Sequence, residues 1–167
     1  EPVDASCEAR GHQDDLAGLV LSAPALAAPP VSRATRAAVT LLARVAPTMR
    51  RAVVDLSTIS RDEAVVADYR ADPLVHHGHP TIALSLAMLD QMTQLATHAR
   101  DLRLPLLVQH GTADRICDPD GSRALETAVG TDDLTVRWYD GLWHEIYHEP
   151  ERARPLEDLR EWLDARA

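Results

Sequence analysis

The chain has 167 residues, 46% of them hydrophobic, which suffices for one ordinary domain with a real core and excludes a disordered segment. Its formal net charge of -9 repels phosphate backbones and anionic membrane surfaces, so no nucleic-acid partner is expected. No run approaches the roughly 20 apolar residues that a transmembrane helix needs.

Cys7 and Cys117 lie far apart with no regular spacing, which argues against a disulfide scaffold and fits a reducing, cytoplasmic compartment. Neither has a strong basic partner beside it in sequence, so neither reads as a nucleophile. The first residue is Glu1 and not methionine, which implies processing or a piece of a longer protein.

In chain order, "LAGLVLSAPALAAP" at 16–29 follows the acidic "HQDD", where a signal peptide would need a positive flank. It reads instead as a buried strand, Leu16 to Leu21, and its exit. From about 29 to 100 no strand is evident, but helix signals recur. Ser60 and Glu63 have the spacing of a capping box ahead of Val65, Val66 and Tyr69. "SRATRAAVTLLARVAP" and "TIALSLAMLDQMTQLATHA" carry apolar faces, fit either to cover a core or to face a substrate. The "HHGH" at 76–79 reads as an exposed polar loop in this helical insertion.

Beyond the insertion, Leu104 to Gln109 is a second apolar run, and Leu134 to Tyr139 is a third and more amphipathic one, as an edge strand would be. Between them "DGSRALETAVG" has helical spacing, with Gly130 suited to a left-handed C-terminal cap and with Asp118 and Asp120 placed to cap its start. Strand, helix, strand is the parallel βαβ unit, so the fold class is α/β. Pro150 marks where a last helix would begin, with Leu156, Leu159, Trp162 and Leu163 on one face. Trp138 and Trp143 read, like Trp162, as packing residues.

Two chemistries compete for "GLWHEIYHEPE" at 141–151. His144, Glu145 and His148 have the H-E-x-x-H spacing of a zinc site, which requires a helix. Gly141 just before and Pro150 just after argue for a loop, and no third ligand has a recognised spacing, so no metal is expected. The other reading uses His144 alone, after the third strand, with Asp114 of "VQHGTADRICDP" after the second. Reactive groups gather at the carboxyl ends of parallel strands, where this pair can meet. The carboxylate would orient the imidazole, and the imidazole would take a proton from a serine hydroxyl. An aspartate at a strand end also commonly just caps a turn, so the residues alone leave the choice open. His110, ahead of Gly111, shapes the acid loop.

The stretch from "LPLLVQHGTADRICDP" through "YDGLWHEIYHEPE" to the end resembles the C-terminal part of the α/β-hydrolase monoacylglycerol lipases and lysophospholipases, the serine aminopeptidase S33-like branch. "GLVLSAPAL" is similar to that family's strand after the nucleophile helix, and "YRADPLVHHG" to part of its cap. The resemblance implies the C-terminal part of an α/β-hydrolase fold, its last three parallel strands with flanking helices and an inserted helical cap. The divisions it implies are 1–28 for a residual N-terminal segment and first core strand, 29–100 for the cap or lid, and 101–167 for the C-terminal core.

By the same resemblance Asp114 is the acid and His144 the base, the substrate is a small lipid ester, and no cofactor is used. The family's G-x-S-x-G elbow is absent from this sequence. Ser6 lacks the flanking glycines, and Ser22, Ser57, Ser85 and Ser122 read as strand, turn or helix residues. The expectation is therefore a chain whose nucleophile precedes residue 1, inactive alone, with an unpaired sheet edge open to self-association. The competing expectation is a noncatalytic binding or interaction domain of the same fold.

Overall fold

The structure, a computed structural model, describes residues 13–27, 31–50 and 55–166. Ser6, Cys7 and the division at residues 28 and 29 lie partly or wholly outside them. Three strands form a parallel sheet in the order β1 (Leu19–Ser22), β2 (Leu106–Gly111), β3 (Leu134–Tyr139). Leu19 pairs with Leu106, and Leu106 with Leu134, so the three strands start level and their carboxyl tips lie together. The middle strand is buried along its whole length, which explains its near-continuous apolar sequence. β3 is mostly half-buried, with Arg137 exposed, and among the described residues it is an edge.

Between β1 and β2 the chain makes α1 (Arg33–Val45), α2 (Glu63–Ala71) and α3 (Ile82–His98). Ser32 and Thr81 cap α1 and α3 by accepting from Thr35 and Leu84 backbone N–H groups. α1 buries none of its residues, whereas α3 carries Leu95 into the core. One sheet face, with Leu19, Leu106 and Val108, packs on Leu95, Ala99, Leu102 and Leu125. Leu125 belongs to α4 (Pro119–Ala128), the crossover helix between β2 and β3. On the opposite face lies α5 (Ala153–Asp164), whose Trp162 ring reaches the backbone at Gly18 and whose Pro155 carbonyl accepts from the Gln109 side chain.

Several local expectations are corrected. β1 starts at Leu19, three residues later than the apolar run, and β2 runs two residues further than expected, to Gly111. The cap of α2 is Asp62, which accepts from Ala64 N–H. Ser60 instead accepts from Asp62 N–H and donates to the His148 carbonyl, a tertiary bond that sequence spacing does not announce. α4 ends at Val129 in extended backbone, so Gly130 is no left-handed cap. Its lack of a side chain serves close approach, since a Cβ there would meet the Arg100 carbonyl. Pro150 sits in a turn, and α5 begins three residues later with Pro155 in its first turn.

Candidate active site

Two loops leave the sheet at the carboxyl tips of β2 and β3, and a small set of bonds joins them. Thr112 N–H donates to the Tyr139 carbonyl at 2.9 Å, and Ala113 N–H to the Leu142 carbonyl at 3.0 Å. Gly141 N–H donates to the Thr112 hydroxyl at 2.9 Å, which in turn donates to Asp140 at 3.1 Å. Gly141 turns the chain with φ of +73°, a conformation glycine adopts without Cβ strain. Gly111 lets the loops touch, because a Cβ there would sit closer than 3.0 Å to the Leu142 and Trp143 carbonyl oxygens. Arg115 lies over the Trp143 ring, 4.8 Å from its centroid, adding a contact between the neighbours of Asp114 and His144.

This stitching brings Asp114 and His144 together. Asp114 Oδ2 accepts from His144 Nδ1 at 2.9 Å. Its Oδ1 accepts from the backbone N–H groups of Ile116 and Cys117 at 2.7 and 3.0 Å. His110 Nε2 lies 3.1 Å from Oδ2, so one carboxylate oxygen serves two imidazoles. Burial raises the Asp114 carboxyl, but the bonds from His110, His144, Cys117 and Ile116 outweigh it and hold the group well below the usual carboxylate range. Burial likewise lowers His144, and its bonds to Asp114 and Cys117 outweigh that and raise it to about 10. The His144 side chain keeps 23% of its surface exposed while the Asp114 side chain keeps none. The imidazole can therefore reach a reactant, and the carboxylate can only act through it.

The remaining sequence candidates are dispersed. His148 is exposed, pairs with Glu145 at 3.1 Å, and lies on a single 3-10 turn, Ile146–His148, so His144 and His148 do not share a helix face. Among the described residues, the group spaced to hold a metal is Asp114, Cys117 and His144, with ligand atoms within 4.8 Å of one another. His76 and His77 contact Arg50 and the Asp72 carbonyl separately in an exposed loop. Ser57 bonds Asp55, Ser60 bonds the His148 carbonyl and Ser122 bonds His110; no hydrogen bond joins any of the three to His144.

Three features escaped the sequence reading. Cys117 lies against His144, close enough to raise its basicity, because the loop after Asp114 curls back on itself. Ser122 reaches His110 from α4 at 2.7 Å. Glu149 is fully buried, accepting the Arg61 backbone N–H on Oε1 at 2.8 Å and the Arg61 Nε–H on Oε2. Together with Glu145 N–H to the Ile59 carbonyl at 2.8 Å, that pair ties the insertion to the histidine loop. The last two needed partners far away in sequence, and only the Asp114-x-x-Cys117 spacing carried any local signal.

Comparison with known proteins adds the family context. Residues 6–151 match the family described as serine aminopeptidase, S33. The monoacylglycerol lipase of Mycolicibacterium smegmatis is 37% identical over 153 residues, covering 91% of this chain and 55% of that protein. The human monoglyceride lipase is 28% identical over 165 residues, covering 96% of this chain and 54% of that protein. The crystal structure of Paleococcus ferrophilus monoacylglycerol lipase superposes with a TM-score of 0.86 at 31% identity, covering 97% of this chain and 64% of that one. The chain spans about half the length of the curated relatives it matches.

Proposed function

Since the chain belongs to the serine aminopeptidase S33 family of α/β-hydrolases, among monoacylglycerol lipase-like members, we propose that Asp114 and His144 are the acid and base of a carboxylic ester hydrolase. The substrates proposed are monoacylglycerols or lysolipids. The observation that carries this reading is the 2.9 Å bond from His144 Nδ1 to a side-chain-buried carboxylate. In the neutral ring, the form that acts as base, this bond keeps the hydrogen on Nδ1 and leaves Nε2 to accept a hydroxyl proton.

In the proposed cycle Nε2 takes the proton of a serine as its oxygen bonds the ester carbonyl carbon. Asp114 stabilises the resulting imidazolium, which then protonates the leaving alcohol. A water, activated by the same Nε2, releases the fatty acid from the acyl-serine. The serine is proposed to lie outside these 167 residues, because the sequence holds no G-x-S-x-G. A mainly apolar hollow of about 300 Å³, lined by Ala25, Leu84, Ala87, Met88, Met92 and Leu95 together with Gln91, gives α3 a surface suited to an acyl chain.

A fluorophosphonate probe tests the reading. The 167-residue chain is expected to remain unlabelled. A chain extended by the upstream coding sequence is expected to label at one serine and to hydrolyse monoacylglycerol. Replacing Asp114 by Asn in that longer chain should lower kcat by roughly 10⁴-fold. Stoichiometric labelling of the 167-residue chain would overturn the placement of the nucleophile, and an unimpaired Asp114→Asn enzyme would overturn the role of the acid.

A further inference from the structure

Beneath the Asp114–His144 pair lies a second imidazole with no exposed atom. His110, the fifth residue of β2, is 0% exposed, and so is Ser122 of α4. His110 Nε2 lies 3.1 Å from Asp114 Oδ2 and 3.2 Å from the Cys117 carbonyl, while Nδ1 lies 2.7 Å from Ser122 Oγ. Both partners of Nε2 are acceptors, since an ionised carboxylate and a carbonyl have no hydrogen to give. Nε2 therefore carries the hydrogen and donates it. A ring with one hydrogen then offers a lone pair at Nδ1, which the Ser122 hydroxyl meets as donor.

Geometry separates this arrangement from simple packing. Trp138 stacks on His110 with ring centroids 6.0 Å apart, and an apolar side chain would satisfy that contact as well. An apolar side chain could not satisfy Oδ2 of Asp114. Oδ1 is fixed by two backbone N–H groups, so it acts as a pivot. Among the described residues only His110 and His144 hold Oδ2, and of these only His110 is on a fully buried strand. Where a buried carboxylate loses one of its donors, it gains from turning toward any other polar group within reach.

Resting on the acid and base reading of Asp114 and His144, we propose that His110 is a positioning residue, with Ser122 anchoring its Nδ1. Together they aim Asp114 Oδ2 at His144 Nδ1. Neither touches the reactant. The sequence Ser122, His110, Asp114 imitates a catalytic triad in order of contact, yet it is sealed from solvent and serves the exposed histidine instead.

The test needs no turnover and uses the 167-residue chain itself. Long-range proton–nitrogen NMR correlations report which ring nitrogen of each histidine bears hydrogen, and a pH series reports the titration of His144. In the wild-type chain His110 is expected with hydrogen on Nε2, and His144 with a low-field, hydrogen-bonded Nδ1 proton. In His110→Leu the His144 proton signal should move upfield and its titration should fall by about half a pH unit or more. His110→Gln returns a donor to the Nε2 position and should restore both. Ser122→Ala removes one hydroxyl and should keep the fold and the hydrogen on His110 Nε2 while freeing the ring to turn and moving the His144 signal the same way, so the reading survives a His110→Leu chain that does not fold. A His110 ring with hydrogen on Nδ1 alone, or a His144 signal that is unchanged or titrates higher in the variants, would overturn the proposal. If instead wild-type His144 shows no hydrogen-bonded Nδ1 proton at any pH, the acid and base reading itself fails.

Discussion

Asp114 Oδ2 and His144 Nδ1 stand 2.9 Å apart although 30 positions separate them in the chain. Their ionisations are consequently coupled to folding. His144 is raised from 6.5 to about 10, so it stabilises the fold fully below 6.5 and loses that contribution as pH rises through 10. Asp114 is lowered from 3.8, so its contribution is present above 3.8 and lost as pH falls through its depressed value. The two together give most between about pH 4 and 6.5. Urea midpoints of the wild-type chain minus those of His144→Ala should be largest in that window and shrink between pH 7 and 10. A difference that grows toward pH 10 would show that the pair is not charged as described.

Gly111→Ala tests the stitching between the loops. The new Cβ would sit closer than 3.0 Å to two backbone carbonyl oxygens, and backbone cannot swing aside as a side chain can. The histidine loop should be displaced, with a cost of about 2 kcal/mol and loss of the bonded His144 proton signal. Denaturation and proton NMR check both. A variant that kept the His144 signal would mean the loop has slack that the close approach does not suggest.

Arg61→Ala tests the tie between the insertion and the histidine loop. It leaves Glu149, 0% exposed, with its charge uncompensated apart from backbone donors. Removing one partner of such a pair costs about 3 kcal/mol. Adding Glu149→Gln to that variant removes the stranded charge and should recover a large part of the loss. A thermodynamic cycle over the four chains measures this. Additive single effects would show that the two groups act independently.

The parallel α/β class and the approximate strands were legible in the sequence because burial on both faces leaves an unambiguous mark, an apolar run such as "LPLLV" closed by turn residues. Asp114 and His144 stood out because each follows such a run. Strand ends were less legible, since Gln109 and His110 are polar yet fully buried in β2. They can be so because each is satisfied by partners outside the strand, Gln109 by Tyr139 and Pro155, His110 by Ser122 and Asp114. Ser60 fails for the same reason as a cap, since a serine hydroxyl is drawn to whichever buried carbonyl the tertiary fold presents. What sequence periodicity records is which face is dry, and hydrogen bonds across 12 to 88 positions leave no period to read.

The outer side of β1 supplies the last prediction. Among the described residues β1 pairs only with β2, and Leu19 and Ala23 donate to the Pro105 and Gln109 carbonyls. Alternation along a strand then directs the N–H groups of Val20 and Ser22 to the opposite side, where they can template another strand. The 167-residue chain is expected to associate through this edge, with sedimentation that depends on concentration. Val20→Pro removes one outward donor, leaves the bonds to β2 in place, and favours the extended backbone that Leu19 already has in the strand. That variant should sediment as a monomer at concentrations where the wild-type chain dimerises, with a denaturation midpoint close to wild type. Equal association by both chains would move the contact elsewhere, and the exposed apolar side chains of α1, Leu41 and Val45, would become the surface to alter next.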